Sequence, residues 1–300
     1  MTQKNYWLGA AMVIFSAFCF ALKGIFIKLA YQYPIDTISL LTLRMGFAAP
    51  FYVLVAFRLW YQRKVPIFSQ KDWFWVVGLG VLGYYVSSYL NFLGFHYISA
   101  ALERVLLFMY PTFVLIINVV LRGKKVTHLQ LVALTLTYSG IFLAFSENIG
   151  AISAQNLTLG AFWVILSGLT YAFFLVGSDK ILTHIGSEKF TVFAMLSATV
   201  AVFLHCLMAN GFQIWHYPIQ VYLIGLGMAI FSTVVPTFLL AAGIKRVGAS
   251  NTSLLNSIGP IFTIFLATIV LDEFISLLQI LGTFLVLLGV FLIGWKGRNH

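Results

Sequence analysis

Acidic residues are scarce in this chain. Asp and Glu together supply 8 of 300 residues, and all charged types make up only 9%. A soluble domain carries roughly a quarter charged residues, so the shortage excludes an ordinary soluble fold before any motif is read. Cysteine is equally rare. Cys19 and Cys206 both fall inside apolar stretches, which supports neither a disulfide framework nor a metal cluster. His96, His205 and His216 lack metal-ligand spacing, so neither metal nor cofactor is expected. No HExxH, nucleophile elbow, Walker loop or dinucleotide fingerprint is present. An intramembrane enzyme acting on lipid-linked substrates would need clustered His, Asp or Ser chemistry at one depth, and the acids here lie mainly near segment ends.

What the chain has is apolar length. It is 61% hydrophobic and 17% aromatic, and a membrane-spanning helix needs about 20 mainly apolar residues. Ten segments qualify: approximately 7–31, 36–60, 72–97, 100–121, 126–146, 158–181, 187–210, 219–245, 249–271 and 275–295. Their length predicts helices rather than barrel strands of about ten alternating residues. The first is too long for a signal-peptide core and is kept as a helix. The net charge of +10 does not signal nucleic acid. Fourteen of the Lys and Arg residues, from Lys4 to Arg298, fall at one set of alternate segment ends, while the linkers around 32–36, 98–99, 147–157, 211–218 and 272–274 carry none. Positive charge marks the cytoplasmic side, so both termini are predicted to be cytoplasmic, in a multi-pass protein of the cell inner membrane.

The chain also repeats itself. Shifted by 149 positions, 94–143 lies on 243–292 without a gap, pairing Pro111 with Pro260, Gln130 with Gln279 and Gly140 with Gly289. Five segments per half is an odd number, so the second half enters from the opposite side. Inverted repeats of this kind occur in secondary transporters, with the binding site near the midplane between repeats.

The stretch "SAALERVLLFMYPTFVLIINVVLRGKKVTHLQLVALTLTYSGIFL" and its partner "GASNTSLLNSIGPIFTIFLATIVLDEFISLLQILGTFLVLLGVFLIG", with "LRMGFAAP" in the second segment, resemble the two EamA-type repeats of the drug/metabolite transporter superfamily. The resemblance implies an all-α integral membrane fold of ten transmembrane helices. It divides into a first repeat, 1–146, and a second, inverted repeat, 158–300. It also implies a cavity between helices one, three, four, six, eight and nine, and alternating access for a small metabolite, such as an amino acid or related carboxylate, as in bacterial exporters. The family pattern closes helices four and nine with Gly-Glu. Here Leu271-Asp272-Glu273 keeps the acid and Arg122-Gly123-Lys124 does not. Glu273 reads as a cap near the start of the tenth helix.

Candidate site residues are the polar groups inside the segments. Lys23 and Lys28 lie five residues apart, about 140° around a helix, so they cannot share a face. Lys28 is within a turn of a segment end and can snorkel to the headgroups. Lys23 lies about 24 Å along the axis from Trp7, where a lysine costs about 2.5–3.5 kcal/mol without a partner or water. It is either a substrate ligand or a member of a structural ion pair. Arg44 is at similar depth, as a substrate contact or a backbone clamp. Glu103 and Arg104 open the fourth segment, with Glu103 the natural counter-ion for Lys23 or Arg44, or simply favoured by the helix N-terminus. If transport is proton-coupled, Glu103 is the candidate carrier. The second half has Phe174 and Met195 where Lys23 and Arg44 would align, so the charge is asymmetric and suits anions or the carboxylates of zwitterions.

Pro111 and Pro260 fall mid-segment, where each should kink its helix and free the carbonyl four residues earlier, either for packing or as the moving part of a cavity. Asn251, Thr252, Ser253, Asn256 and Ser257 make the start of segment nine polar, with Asn256 supplying a freed carbonyl. Gly80, Gly83, Ser87, Asn91 and Gly94 form a small-residue stripe suited to close helix approach, with Asn91 as a possible site exception. Tyr84, Tyr85 and Tyr89, with Tyr110 and Tyr171, could build aromatic walls; Tyr85, Tyr110 and Tyr171 join the candidate set. The expected partners are a small-molecule substrate, the lipid bilayer and, if coupled, protons. The expected state is monomer or homodimer. A non-transporting membrane scaffold is the rival reading.

Overall fold

The computed structural model describes residues 3–62, 69–123, 126–146, 154–211, 214–247, 252, 255–256 and 258–296, and every regular element among them is helical. In order they are α1 (Gln3–Ala30), α2 (Thr37–Tyr61), α3 (Gln70–Gly80), a π-helical turn (Val81–Val86), α4 (Ser87–Gly94), α5 (Ala100–Leu107), α6 (Tyr110–Arg122), α7 (His128–Ser146), α8 (Ala154–Ile185), α9 (Ser187–Asn210), α10 (Ile219–Ala229), a second π-helical turn (Ile230–Val234), α11 (Val235–Val247), α12 (Gly259–Val270) and α13 (Leu277–Lys296). Eight stretches are long and apolar enough to cross a membrane: α1, α2, α3 through α4, α5 through α6, α7, α8, α9 and α10 through α11. Gly259–Val270 and Leu277–Leu292 are shorter apolar helices. Large apolar side chains such as Leu54, Val120, Phe142 and Met208 stand exposed on the outside of the bundle. With hydrocarbon around them they need no further cover, and the internal hydrogen bonds of helices suit that setting. This is a multi-pass membrane protein.

Ends are set locally. Asp36 caps α2 by accepting from the Ile38 and Ser39 amides, both at 3.0 Å. Ser69 and Asp72 form a reciprocal capping box on α3. Gly123 and Gly211 stop α6 and α9 in the left-handed conformation, at φ 64° and 58°.

The halves share their irregularities. The π turns begin at Val81 and Ile230, 149 residues apart, and the residues that open α6 and α12, Met109 and Ile258, are separated by the same distance. The latter corrects the mid-helix kink expected at Pro111 and Pro260. Each proline stands in the first turn of a new helix, and Phe108 and Met109 form the break before α6. A first-turn residue has no intrahelical partner for its N–H, so proline is tolerated there.

Packing repeats the pattern. α1 lies against α11 and α8 against α4; α2 meets α9, α5 meets α12, and α7 meets α13. Exchanging the halves turns α1–α11 into α8–α4 and leaves the α2–α9 and α7–α13 pairs unchanged. At the α7–α13 crossing, a Cβ added to Gly140 would meet the Gly282 carbonyl, and one added to Gly289 would meet the Ala133 carbonyl. Both members of the first contact, moved by 149 positions, give the second. The small-residue stripe of the third segment is also a seam: Gly80 abuts Ala194, Gly83 abuts Phe174 and Gly94 abuts Val164. Ser87 donates to the Ser167 carbonyl at 3.1 Å.

Glu273 does not cap the helix that follows it. Its carboxylate accepts from the Ala100 and Ala101 amides, at 2.9 and 3.3 Å, and so caps α5 in the other half. Asp272, at φ 51°, turns the chain there. Aspartate tolerates this conformation better than most side chains. Glu273→Ala should therefore destabilise the start of α5, by about 0.5–2 kcal/mol as for other lost caps, read as a lower thermal midpoint for the purified protein.

Candidate functional site

Three charged side chains within the bundle, Lys23, Glu103 and Arg104, are held by hydrogen bonds. Lys23, on α1, donates from Nζ to Asn91 Oδ1 on α4 at 2.8 Å. Asn91 Nδ2 in turn donates to Glu103 Oε1 on α5 at 2.5 Å. A lysine offers only donors and an ionised carboxylate only acceptors, so the orientation of the amide between them is fixed. Asn91 and Glu103 are buried, at 1% and 2% exposure. Glu103 is thus connected to Lys23 through an amide and not directly.

Arg104 extends the cluster to α12. Its Nε donates to Thr263 Oγ1 at 3.0 Å, and its Nη2 to the Phe20 carbonyl of α1 at 3.2 Å. It does not merely sit at an interface. Tyr110 and Tyr171 meet edge to face with centroids 5.4 Å apart, and Tyr171 stacks on Phe174 at 5.7 Å. These two tyrosines make an aromatic contact between α6 and α8.

Three candidates lie elsewhere. Tyr85 hydrogen-bonds to His205 Nδ1 of α9 at 2.8 Å, away from the Tyr110–Tyr171 pair. Arg44 turns to α10–α11: its Nε donates to Thr233 Oγ1 in the π turn at 2.9 Å, and its guanidinium lies 5.6 Å from the Phe92 ring centroid. Asn256 is half-buried beside the Ile258 break, with its Oδ1 unpartnered. Thr252 is buried, whereas Asn251, Ser253 and Ser257 lie outside the described residues. Two apolar clefts are present, one lined by Thr199, Val200, Phe203, Leu204 and Leu207, the other between α1, α12 and α13. Neither touches the polar cluster. No grouping of His, Cys, Asp and Glu among the described residues could hold a metal ion.

Sequence reasoning missed a second polar group at one end of the bundle. Asp36 Oδ2 accepts from Tyr217 Oη at 2.9 Å and from Asn210 Nδ2 at 3.0 Å, tying the α1–α2 loop to the α9–α10 loop. Nearby, Thr37 Oγ1 bonds to His96 Nε2 at 2.9 Å and Tyr31 stacks on the His96 ring. Partial desolvation pushes the Asp36 carboxyl up, but hydrogen bonds from Ser39, Tyr217 and Asn210 outweigh it and hold the group below its ordinary 3.8. A depressed carboxylate contributes stability above its unfolded value and loses it as pH falls through the folded one. The stability gap between wild type and Asp36→Asn should thus be present at neutral pH and close below about pH 4, in thermal melts taken across that range.

The comparisons with known proteins agree with this architecture. The EamA-like transporter family matches residues 7–146 and again 158–295. The chain is 32% identical over 280 residues to the uncharacterized transporter YcbK of Bacillus subtilis, covering 91% of this chain and 88% of that one. It is 25% identical over 318 residues to the uncharacterized transporter sll1319 of Synechocystis, covering 96% and 94%. A solved crystal structure superposes with a TM-score of 0.62 over 100% of this chain and 99% of its own, at 14% identity, a likeness of fold.

Proposed function

Because the chain belongs to the EamA-like transporter family, a family of membrane transporters, we propose that it moves a small amino acid or related carboxylate across the inner membrane by alternating access. Ten spans in two inverted five-helix repeats, 1–146 and 158–300, would supply the two interchangeable half-structures that alternating access requires. The exchange-invariant helix pairing and the Gly140/Gly289 contacts support that division. The Lys and Arg asymmetry supports cytoplasmic termini.

One observation carries the substrate reading. Lys23 and Glu103 are opposite charges held apart by the neutral amide of Asn91. A zwitterion fits that spacing: its carboxylate takes Lys23, backed by Arg104, and its ammonium takes Glu103. Tyr110 and Tyr171 would flank the body of the substrate, and the breaks before Pro111 and Pro260 would flex between states. Buried charge is expensive in a membrane and marks pathways or relays; a scaffold needs none.

The test is counterflow in proteoliposomes with a panel of amino acids, organic acids and nucleotides. Exchange of a zwitterion or carboxylate, lost on Asn91→Leu, is the expected result. Exchange of uncharged compounds alone would refute the substrate class. Coupling is examined in the same system: a Glu103→Gln protein should fail to concentrate substrate under an imposed pH gradient, and retained accumulation would remove protons from the scheme.

A further inference from the structure

At the end of the bundle remote from the start of α1 and the end of α13, two carboxylates reach from one half of the chain to the other. Asp36, in the α1–α2 turn, accepts through Oδ2 from Tyr217 Oη at 2.9 Å and from Asn210 Nδ2 at 3.0 Å. Asn210 Nδ2 also donates to Ser39 Oγ at 3.2 Å. Glu273, between α12 and α13, accepts from the Ala100 and Ala101 amides at 2.9 and 3.3 Å. One acid comes from each half, and each finds its partners in the other.

Each half also holds its own side of these contacts. Asp36 Oδ1 stays on the Ile38 and Ser39 amides. The Tyr217 amide donates to Tyr222 Oη at 3.3 Å, and Tyr222 Oη donates to the Ile214 carbonyl at 2.8 Å. Ser99 Oγ accepts from the Leu102 amide at 3.2 Å, so α5 keeps a cap of its own when Glu273 withdraws. The bonds between the halves can therefore break while the structure on either side persists. The chain does not repeat the two acids. The N-cap of α9, which answers to the N-cap of α2 when the halves are exchanged, is Gly186 and makes no side-chain cap. The residue 149 positions before Glu273 is Lys124.

We propose that Asp36 and Glu273 are paired latches that hold this end of the bundle shut, and that the lack of acids at the equivalent positions of the opposite end biases the resting protein toward the form closed here. Under the alternating-access reading on which this rests, each end opens in turn. A motion that separates the halves at this end breaks both contacts at once, so their contributions multiply. Hydrogen bonds to a carboxylate are about twice as strong as neutral ones, which lets a few of them set such a balance.

The experiment measures distances between nitroxide pairs on the full-length protein in lipid nanodiscs. Cys19 and Cys206 are buried and so spared by the labelling reagent. Gln32→Cys with His216→Cys reports the latched end, and Tyr61→Cys with Glu188→Cys the opposite one; all four positions are exposed. Wild type should populate mainly the short distance at the latched end. Asp36→Asn keeps an N-cap, since Asn caps as well as Asp, but turns a donor toward Asn210. Glu273→Gln likewise sets a donor against an amide. Each should raise the open-to-closed ratio at the latched end about tenfold, and the double variant about a hundredfold, as a second discrete distance. Asp72→Asn, which alters the capping box of α3, should leave the ratio unchanged. Unmoved distances in the double variant, mere broadening of them, or an equal shift from Asp72→Asn would overturn the proposal. If the double variant cannot be purified, the two single variants decide. Opening at the latched end with no matching closure between Tyr61 and Glu188 supports the latches and counts against alternating access. Unmoved distances with intact counterflow remove the latches and leave the transport reading standing.

Discussion

A Lys23→Ala protein should lose transport of carboxylate or zwitterionic substrates by on the order of 100-fold or more in kcat/KM. Removing one partner of a buried, hydrogen-bonded charge costs about 2–5 kcal/mol, and each 1.4 kcal/mol is about tenfold. The loss has two physical parts. The substrate carboxylate loses its ammonium partner, and Asn91 Oδ1, which accepts from Lys23 at 2.8 Å, is left buried without a donor. The parts separate experimentally. Lys23→Arg restores a cation and a donor and should recover part of the activity, whereas a merely structural role would let a neutral donor such as Gln do as well. An unchanged KM for every transported anion or zwitterion would refute the role of Lys23.

The second large effect is on stability. Gly140→Ala and Gly289→Ala each force a methyl group against a backbone carbonyl at the α7–α13 crossing, Gly282 in one case and Ala133 in the other. Carbonyls fixed in helices cannot swing aside as a side-chain terminus can, so the helices must separate. Overpacking of this kind costs about 1–3 kcal/mol. Since a shift of 149 carries one contact onto the other, the two variants should lose similar amounts, and the double variant should lose less than their sum because both relieve themselves by the same separation. Thermal or denaturant unfolding of the two single variants checks this. Markedly unequal losses would show that the two contacts are not equivalent.

Much of the fold was legible because lipid-length apolar runs admit few alternatives. The repeat was legible because an ungapped shift leaves its mark on Pro, Gln and Gly. The connection between Lys23 and Glu103 could be anticipated from scarcity: Glu103 is the one acid clear of the linkers in the first half. Asn91 stood out as the polar member of an otherwise small-residue stripe. What escaped has identifiable causes. Tyr85 lies within the π turn Val81–Val86, and a π turn spends more residues per revolution than an α-helix, so steps of 100° misplace the side chains beyond it. Glu273 reaches α5 across 173 residues of sequence, and the partners of Asp36 lie 174 and 181 residues away. No local pattern announces such contacts. Thr233 and Thr263 looked like ordinary threonines of apolar segments until Arg44 and Arg104 were seen to reach them.

The matched π turns bear on register. A ring closed by a bond to the fifth residue accommodates one amino acid more than a ring closed to the fourth, so each turn at Val81 and Ile230 corresponds to a single codon gained within a helix. One extra residue at the same place in each half leaves the 149-residue register between the halves intact on both sides of the turn.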